Sequence, residues 1–254
     1  MKIRALCLPR TPSVVVALRD VPSIEKIAAA HRAGAWDIVE LRVDLQGSDD
    51  PAHRFAEALK RQGIPTIATL RSKAEGGAWC RSEAERLACF RTLIPHVSAV
   101  DIELSSQDIR DEVIAAAHAD GKAAIVSCHF FQAFPTPTRL DQIAEQATLL
   151  NADILKVAAW AEYPEDIRTL ARFTLAHADR NLVTLAMGPR GALSRIFFPA
   201  LGSLWTYTFW GTETAPGQMD ITETHDWLTR FYPDFSRLRG PDVPLSQQGG
   251  SGLP

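Results

Sequence analysis

A lysine near the end of an apolar, β-branched segment could act as a nucleophile. Lys156 is one of six lysines among the 27 basic residues, and Leu155 and Val157 flank it. Burial of an unpaired ammonium group is costly, so we expect the pKa of Lys156 to fall toward that of a neutral amine. A neutral amine attacks carbonyl carbons and forms a Schiff base. The alternative is a charged lysine that is paired with a carboxylate such as Glu103 or Asp101.

A histidine ends the preceding strand-like segment and could exchange protons with a substrate. Neighbouring parallel strands lie about 4.8 Å apart, so we expect His129 beside Lys156. An imidazole there can remove a proton next to a carbonyl carbon and later protonate a leaving group. The alternative is a structural histidine that caps the following loop. Cys128 is expected to face the helices, because adjacent residues of a strand point to opposite faces.

Charged and polar residues also follow other strand-like segments. Arg71 ends the third segment, and we expect its side chain to point into the same pocket. The glycines at 76 and 77 allow the next loop to turn back, so that Glu75 reaches over the pocket mouth. Loop 214–218 places a hydroxyl and an amide at the mouth of the pocket. Several donors around an apolar-walled pocket suit a polyhydroxylated carboxylic acid.

Eight strand-like segments alternate with eight helical patterns and must position these residues. In segment 37–45, Val39 and Leu41 fall on one face, while Glu40 and Arg42 fall on the other. A doubly wound sheet has apolar strands, whereas this polar face fits a barrel with a pocket in its upper interior. We therefore predict an α/β fold, a single (β/α)8 TIM barrel. The predicted strands span 13–18, 37–45, 65–71, 98–104, 122–128, 152–158, 181–187 and 203–210. The predicted helices span 24–34, 51–63, 82–95, 107–120, 138–151, 164–177, 190–201 and 222–231.

The composition excludes several classes of function. The chain has 27 basic and 30 acidic side chains and a net charge of −3, so no nucleic-acid partner is expected. No apolar run approaches about 18 to 20 residues and no secretory signal is recognisable, which predicts a cytoplasmic protein with no membrane partner. The scattered histidines and the absence of GxGxxG after a strand predict no metal and no cofactor. Four irregularly spaced cysteines are typical of reduced, buried thiols.

The 254 residues divide into a domain and a tail. We predict that residues 1–234 form one catalytic barrel, since single α/β barrels of about 250 residues are common. Residues 235–254 include the run Gln-Gln-Gly-Gly-Ser-Gly, which is typical of flexible linkers. We therefore predict a flexible C-terminal tail.

Taken in order, these segments resemble the type I 3-dehydroquinate dehydratases, the Schiff-base-forming barrel enzymes of the shikimate pathway. The segments that carry the resemblance are 40–44, 69–71 with 75–77, 101–103, 127–129, 152–156, 187–188 with 194–195, and 202–203 with 215–218. The resemblance implies loss of water from 3-dehydroquinate in aromatic amino-acid biosynthesis, without a cofactor and in a homodimer. It implies that Lys156 forms the imine, that His129 is the general acid and base, and that Glu75 orients His129. The implied substrate-binding residues are Arg195 and Gln218 for the carboxylate, Glu40, Arg42 and Arg71 for hydroxyls, Phe131 and Met187 as apolar walls, and Thr214 at the pocket mouth.

Some positions depart from the family pattern and leave alternatives open. Phe130 stands where the family usually has Asp, Ala17 replaces a common serine, and Thr214 replaces another. A divergent lyase or a class I aldolase that acts on a related cyclic keto acid is the first alternative. A non-catalytic sensor of such an acid is the second, although a sensor would be expected to lose Lys156 and His129.

Overall fold

The computed structural model describes residues 11–239 except 21, 47 and 48. Along this part of the chain, eight parallel strands alternate with helices, which confirms the predicted (β/α)8 order. Each predicted strand and helix is present, with ends that differ by at most three residues. The strands are β1 (Ser13–Leu18), β2 (Ile38–Arg42), β3 (Thr66–Thr69), β4 (Ala99–Glu103), β5 (Ala123–Phe130), β6 (Ile154–Trp160), β7 (Leu182–Met187) and β8 (Trp205–Phe209), followed by the two-residue β9 (Met219–Asp220).

The helices begin at residues that satisfy their free amide groups. Ser82 accepts the amide of Glu85 through Oγ, and the Glu85 carboxylate accepts the amide of Ser82, which forms a capping box. Three other helices have proline at the first position, where the missing N–H costs nothing; they begin at Pro137, Pro164 and Pro233. The described helices are α1 (Ile24–Arg32), α2 (Asp49–Arg61), α3 (Glu83–Leu93), α4 (Arg110–Ala119), α5 (Pro137–Leu149), α6 (Pro164–Ala176), α7 (Ala192–Leu201), α8 (Ile221–Phe231) and α9 (Pro233–Arg239).

The strands pair in chain order and the sheet curls into a barrel. β1 lies between β2 and β8, while the other strands follow one another from β2 to β7. β7 and β8 meet through a parallel bridge between Leu182 and Ser203. The amide of Leu204 donates to the carbonyl oxygen of Leu182 at 2.8 Å. Consecutive strands therefore bring their carboxyl ends together at one end of the barrel.

Side-chain alternation along the strands separates two apolar layers. Val14 and Val16 pack outward against the helices, whereas Val15 and Ala17 pack in the barrel interior. The interior layer is apolar at its lower end and polar toward the carboxyl ends of the strands. The interior apolar residues include Ile38, Ile67, Ala99, Ala123, Ile125, Ile154, Val183, Leu185 and Trp205.

Two of the strand ends that differ from the prediction lie next to residues predicted for the site. β2 stops at Arg42, three residues earlier than predicted, because 43–45 form a 3-10 turn that brings the Asp44 carboxylate back onto the Arg42 guanidinium at 2.8 and 2.9 Å. β5 continues two residues further than predicted, so His129 lies within the strand. The strand fixes the His129 backbone more firmly than a loop would.

After α8, the structure differs from the prediction that the tail is flexible from residue 235 onward. Pro233–Arg239 form α9, Phe235 is fully buried, and the Arg239 guanidinium pairs with Asp37. Residues 235–239 thus pack against the barrel because they carry an apolar anchor and an ion-pair partner. The rest of the predicted tail, 240–254, lies outside the described residues, as does Cys7. Within the described residues, no helix has the length and apolar character needed to cross a membrane.

Candidate active site

All eleven residues predicted for the site surround one cavity at the carboxyl ends of the strands. The cavity has a volume of about 640 Å³, including its open mouth. Its lining includes apolar walls and several hydrogen-bond donors, as expected for a small polar ligand. The eleven predicted residues are Glu40, Arg42, Arg71, Glu75, His129, Phe131, Lys156, Met187, Arg195, Thr214 and Gln218.

The floor of the cavity, which we define as Lys156, Glu40, Asp101 and Arg71, is a buried network of charges. Lys156 Nζ donates to Asp101 Oδ2 at 2.9 Å and to Glu40 Oε1 at 3.1 Å. Arg71 donates to the other Asp101 oxygen at 2.7 Å, so one carboxylate joins the two cations. Both floor carboxylates are thus occupied by protein cations, and the described residues contain no group of His, Cys, Asp and Glu suited to a metal ion.

The charge state of Lys156 differs from the prediction. Burial alone would lower the pKa of Lys156, but the carboxylates of Asp101 and Glu40 outweigh burial and raise it. The prediction of a depressed pKa is therefore wrong for the free protein, where Lys156 is an ammonium ion. Burial acts against the ionised form of Asp101 as well, yet Arg71 and Lys156 hold the pKa of its carboxyl far below the usual range.

The rim, which we define as His129, Glu75 and Ser105, lies where β5 meets the 72–77 loop. Glu75 Oε2 accepts both the His129 backbone amide and the His129 Nδ1 proton, each at 2.9 Å. The Ser105 hydroxyl donates to Glu75 Oε1 at 2.5 Å. A neutral imidazole that donates from Nδ1 keeps Nε2 free as a base. The structure therefore brings together the predicted base and the carboxylate that orients it.

Burial controls proton binding at the rim. It raises the pKa of Glu75 to about 7, although the Ser105 hydroxyl acts in the opposite direction. Burial, followed by the cations Arg71 and Lys156, lowers the pKa of His129 well below its ordinary value. His129 is therefore neutral near pH 7, while Glu75 changes its protonation there.

Two glycines give the 72–77 loop its shape. Gly76 has φ +77°, and a Cβ atom on it would lie 2.5 Å from the Phe131 ring. A Cβ atom on Gly77 would lie 2.1 Å from the Arg71 carbonyl oxygen. Only glycine fits these two contacts. The close turn supports the expectation that Glu75 is brought back over the cavity.

The opposite side of the cavity is formed by Arg195 and the 214–218 loop. Arg195, which is 1% exposed, donates from Nε to the Gly217 carbonyl oxygen at 2.8 Å. Burial lowers the pKa of Arg195 to about 10. Gln218 Oε1 accepts the Thr214 amide and hydroxyl, both at 2.9 Å, so the Gln218 side chain closes this loop. The Gln218 amide oxygen is used within the loop, which leaves its NH2 group as the donor for a ligand.

Comparisons with known proteins agree with this geometry. The family model described as Type I 3-dehydroquinase matches residues 13–233. The chain belongs to this family. A 3-dehydroquinate dehydratase from Methanosarcina barkeri is 38% identical over 222 residues, which cover 83% of this chain and 91% of that protein. One from Methanosarcina acetivorans is 36% identical over 227 residues, which cover 85% and 93%.

A solved structure supports the same assignment. The crystal structure of 3-dehydroquinate dehydratase from Geobacillus kaustophilus superposes with a TM-score of 0.77 at 27% identity, covering 86% of this chain and 90% of that one. As a type I dehydroquinase family member, the chain is a hydro-lyase, an enzyme class that breaks carbon–oxygen bonds.

Sequence reasoning missed one aromatic residue of this dehydroquinase site and left the floor pairing undecided. Tyr207 is 2% exposed, and Lys156 Nζ lies 4.4 Å from the centre of its ring. Asp101 was one of two candidate partners of Lys156, while Glu103 pairs instead with Arg71 at 3.1 Å. The sequence could not decide between Asp101 and Glu103, because the layer of each side chain in the barrel depends on the register between strands. No motif marks Tyr207 in the sequence.

Proposed function

We propose that the chain converts 3-dehydroquinate to 3-dehydroshikimate and water through a Schiff base on Lys156, as a step of the shikimate pathway. One observation carries the proposal: a lysine amine on the cavity floor lies on the strand next to a neutral histidine that a carboxylate orients. These are the groups that imine formation and proton transfer need. The relatives named 3-dehydroquinate dehydratase support the choice of substrate.

The first stage forms the imine. The Lys156 ammonium gives one proton to a neighbouring base, and Glu40 Oε1, 3.1 Å from Nζ, is placed to accept it. The neutral amine then bonds to the keto carbon, and the carbonyl electron pair moves to oxygen. That oxygen takes one proton from the attacking nitrogen and a second from the protonated Glu40, and it leaves as water, so that a protonated C=N bond remains. This bond accepts electrons, so the hydrogens on the adjacent carbon become more acidic.

The second stage removes water from the ring. His129 Nε2 takes a proton from the carbon next to the imine, and the C–H electron pair moves toward nitrogen to form an enamine. The enamine electron pair then returns from nitrogen and forms a ring C=C bond, while the bond between C1, the ring carbon that bears the leaving hydroxyl, and its oxygen breaks. His129 gives its proton to the departing hydroxyl, which leaves as water. Water then hydrolyses the conjugated imine, which releases the product and restores Lys156.

Substrate binding in this proposal uses the two sides of the cavity. The Arg195 guanidinium and the Gln218 NH2 group bind the carboxylate, because both are held at the 214–218 loop. Arg42, fixed by Asp44, and Arg71, fixed by Asp101, present donors to ring hydroxyls. Phe131 and Met187 contribute apolar walls.

A turnover assay tests the proposed function. Purified protein is mixed with 3-dehydroquinate, and the absorbance of the conjugated enone product is followed, with Lys156→Ala as the control. We expect absorbance to rise with wild-type protein and not with the variant. Tight binding without a rise would instead support the sensor. Faster turnover of another cyclic keto acid would support the divergent lyase, and inhibition by free phosphate would support a sugar-phosphate aldolase.

We also propose that the chain forms a homodimer. Leu193 and Phe197 on α7 are 65% and 49% exposed, and Trp227 and Phe231 on α8 stack at 5.8 Å between ring centres while 42% and 57% exposed. Apolar side chains on adjacent helices are suited to a protein partner. Light scattering should give about twice the chain mass of 27.9 kDa, and a single-chain mass would contradict the dimer.

A further inference from the structure

A buried arginine on α3 lies outside the cavity but contacts the segment that leads into it. Arg86 is fully buried. Its Nε donates to the Leu70 carbonyl oxygen at 2.8 Å, and its Nη1 donates to Ser106 Oγ at 3.0 Å. Its Nη2 pairs with Glu103 Oε2, and both of these side chains are inaccessible to solvent. Arg86 thus holds the end of β3 and a β4 carboxylate at once.

Glu103 connects Arg86 to the site. Its Oε1 atom accepts the Ser72 backbone amide at 2.9 Å and lies 3.1 Å from Arg71 Nη1. Its Oε2 atom receives Arg86 and the Ser106 hydroxyl. One carboxylate oxygen therefore faces α3, and the other faces the first residue of the 72–77 loop.

The loop has little freedom to compensate for a shift of Ser72. The Gly77 amide donates back to the Ser72 carbonyl oxygen at 2.8 Å, and the Trp79 amide donates to the Arg71 carbonyl oxygen at 3.1 Å. Glu75 lies between these anchor points and binds His129. A displacement of Ser72 is thus expected to reach Glu75. Arg71 has two further anchors, Asp101 and Ser127, each at 2.7 Å.

We propose that Arg86 is a positioning residue, which acts through Glu103 and Ser72 to hold Glu75 against His129. This inference rests on the proposed function, since Glu75 matters there through the proton transfer at His129. Arg86 touches neither the cavity nor the substrate. Because Arg71 keeps its other two anchors, loss of Arg86 affects the rim more than it affects substrate binding.

A purely structural Arg86 would give a different result. A buried arginine that only joins α3 to the barrel would change the melting temperature and would not act selectively on proton transfer. A double-mutant cycle separates the two roles, because residues that act through one another have non-additive effects.

The test measures kcat and KM for Arg86→Met, Glu75→Gln and the double variant, well below each melting temperature. We expect Arg86→Met to lower kcat about tenfold, with KM changed less than about twofold, because small misplacements of catalytic groups are costly. In the Glu75→Gln background, Arg86→Met should lower kcat by less than about twofold. Equal effects in both backgrounds, or an unchanged kcat, would overturn the proposal.

Two further variants complete the design. Arg86→Lys keeps a cation next to Glu103 and should recover part of kcat; it replaces Arg86→Met in the cycle if the methionine variant does not fold. Arg91 lies on α3 with Arg86 and forms an exposed ion pair with Glu112 on α4, so Arg91→Met should leave kcat unchanged. The wild-type rate with 3-dehydroquinate is measured first, so failure of the proposed function is seen separately from failure of the Arg86 cycle.

Discussion

Lys156 and His129 lie on neighbouring strands and both are buried, yet Lys156 is a cation and His129 is neutral. At the floor, two carboxylates hold Lys156 as a cation, although burial acts against that state. At the rim, the same burial acts on a neutral imidazole and on a carboxylate whose pKa is raised to about 7. The comparison shows that burial alone does not determine protonation, because the number of opposite charges within contact decides its effect.

The difference matches the two tasks of the proposed reaction. The floor must hold a nitrogen that is cationic before attack and again as a protonated imine, which suits a fixed excess of carboxylate partners. The rim must accept a proton and release it in the same turnover, which suits a neutral imidazole whose Nε2 is free and whose Nδ1 is held by a carboxylate. Variants that affect one region and spare the other test this division.

The largest effect is expected when the rim loses its base. His129→Ala should lower kcat about a thousandfold, within the range found for general acid–base groups. The floor should be unaffected, so the variant should still form a borohydride-reducible adduct with 3-dehydroquinate. His118→Ala, which removes a histidine paired with Asp153 on the outer surface, is the control. Loss of the adduct together with turnover would mean that floor and rim do not act separately.

The second prediction concerns the loss of a carboxylate from the floor. Asp101→Asn removes the carboxylate shared by Arg71 and Lys156, and it should lower the free energy of unfolding by about 3 kcal/mol, because it leaves buried charges poorly paired. Urea denaturation measures this change. Asp111→Asn, at an exposed pair with Arg110, should change stability by less than about 0.5 kcal/mol. Equal stability of Asp101→Asn and wild type would show that the floor network is not needed for folding.

Elements with a regular side-chain period could be predicted from the sequence, and contacts between elements could not. The alternation in β2 identified Glu40 and Arg42 as interior residues, and all eleven predicted residues meet at the cavity. The end of β2 at Arg42 depends on its pairing with Asp44, which no period encodes. The predicted pKa of Lys156 was wrong because its sign depends on two carboxylates from other strands.

The prediction that residues 235–239 belong to a flexible tail was wrong for a similar reason. The segment 235–239 is too short to show an apolar period, and its Arg239 pairs with Asp37, which is distant in the sequence. Arg86 is another example: in the sequence it is one charged residue on a helix, whereas its burial follows from the position of Glu103 on β4. Such long-range ion pairs become visible only when the register of the barrel is known.

The third prediction concerns pH. Glu75 must be ionised to accept the Nδ1 proton of His129, and its raised pKa of about 7 places protonation in the working range. As pH falls below about 7, kcat should therefore fall by up to about tenfold per pH unit. In Glu75→Gln this fall of kcat at low pH, the acid limb of the pH profile, should disappear, and kcat should be lower at every pH. If the acid limb persists unchanged in Glu75→Gln, it is due to the titration of another group.

The smallest effect is expected from Ser105→Ala. The Ser105 hydroxyl favours the ionised form of Glu75, so its loss should raise the pKa of Glu75 and move the acid limb to higher pH. At pH 7 this should lower kcat a few-fold, in line with the loss of about 1.5 kcal/mol from one hydrogen bond to a charged group. Ser82→Ala, at the exposed helix cap of α3, is the control. A shift toward lower pH would contradict the described role of Ser105.

Covalent trapping tests most directly whether Lys156 at the floor is the nucleophile. Protein is incubated with 3-dehydroquinate and sodium borohydride, digested, and analysed by mass spectrometry. We expect a reduced adduct on Lys156, with none on the exposed Lys60 and none at all in Lys156→Ala. Turnover without an adduct, an adduct on a different lysine, or a normal rate from Lys156→Ala would contradict it.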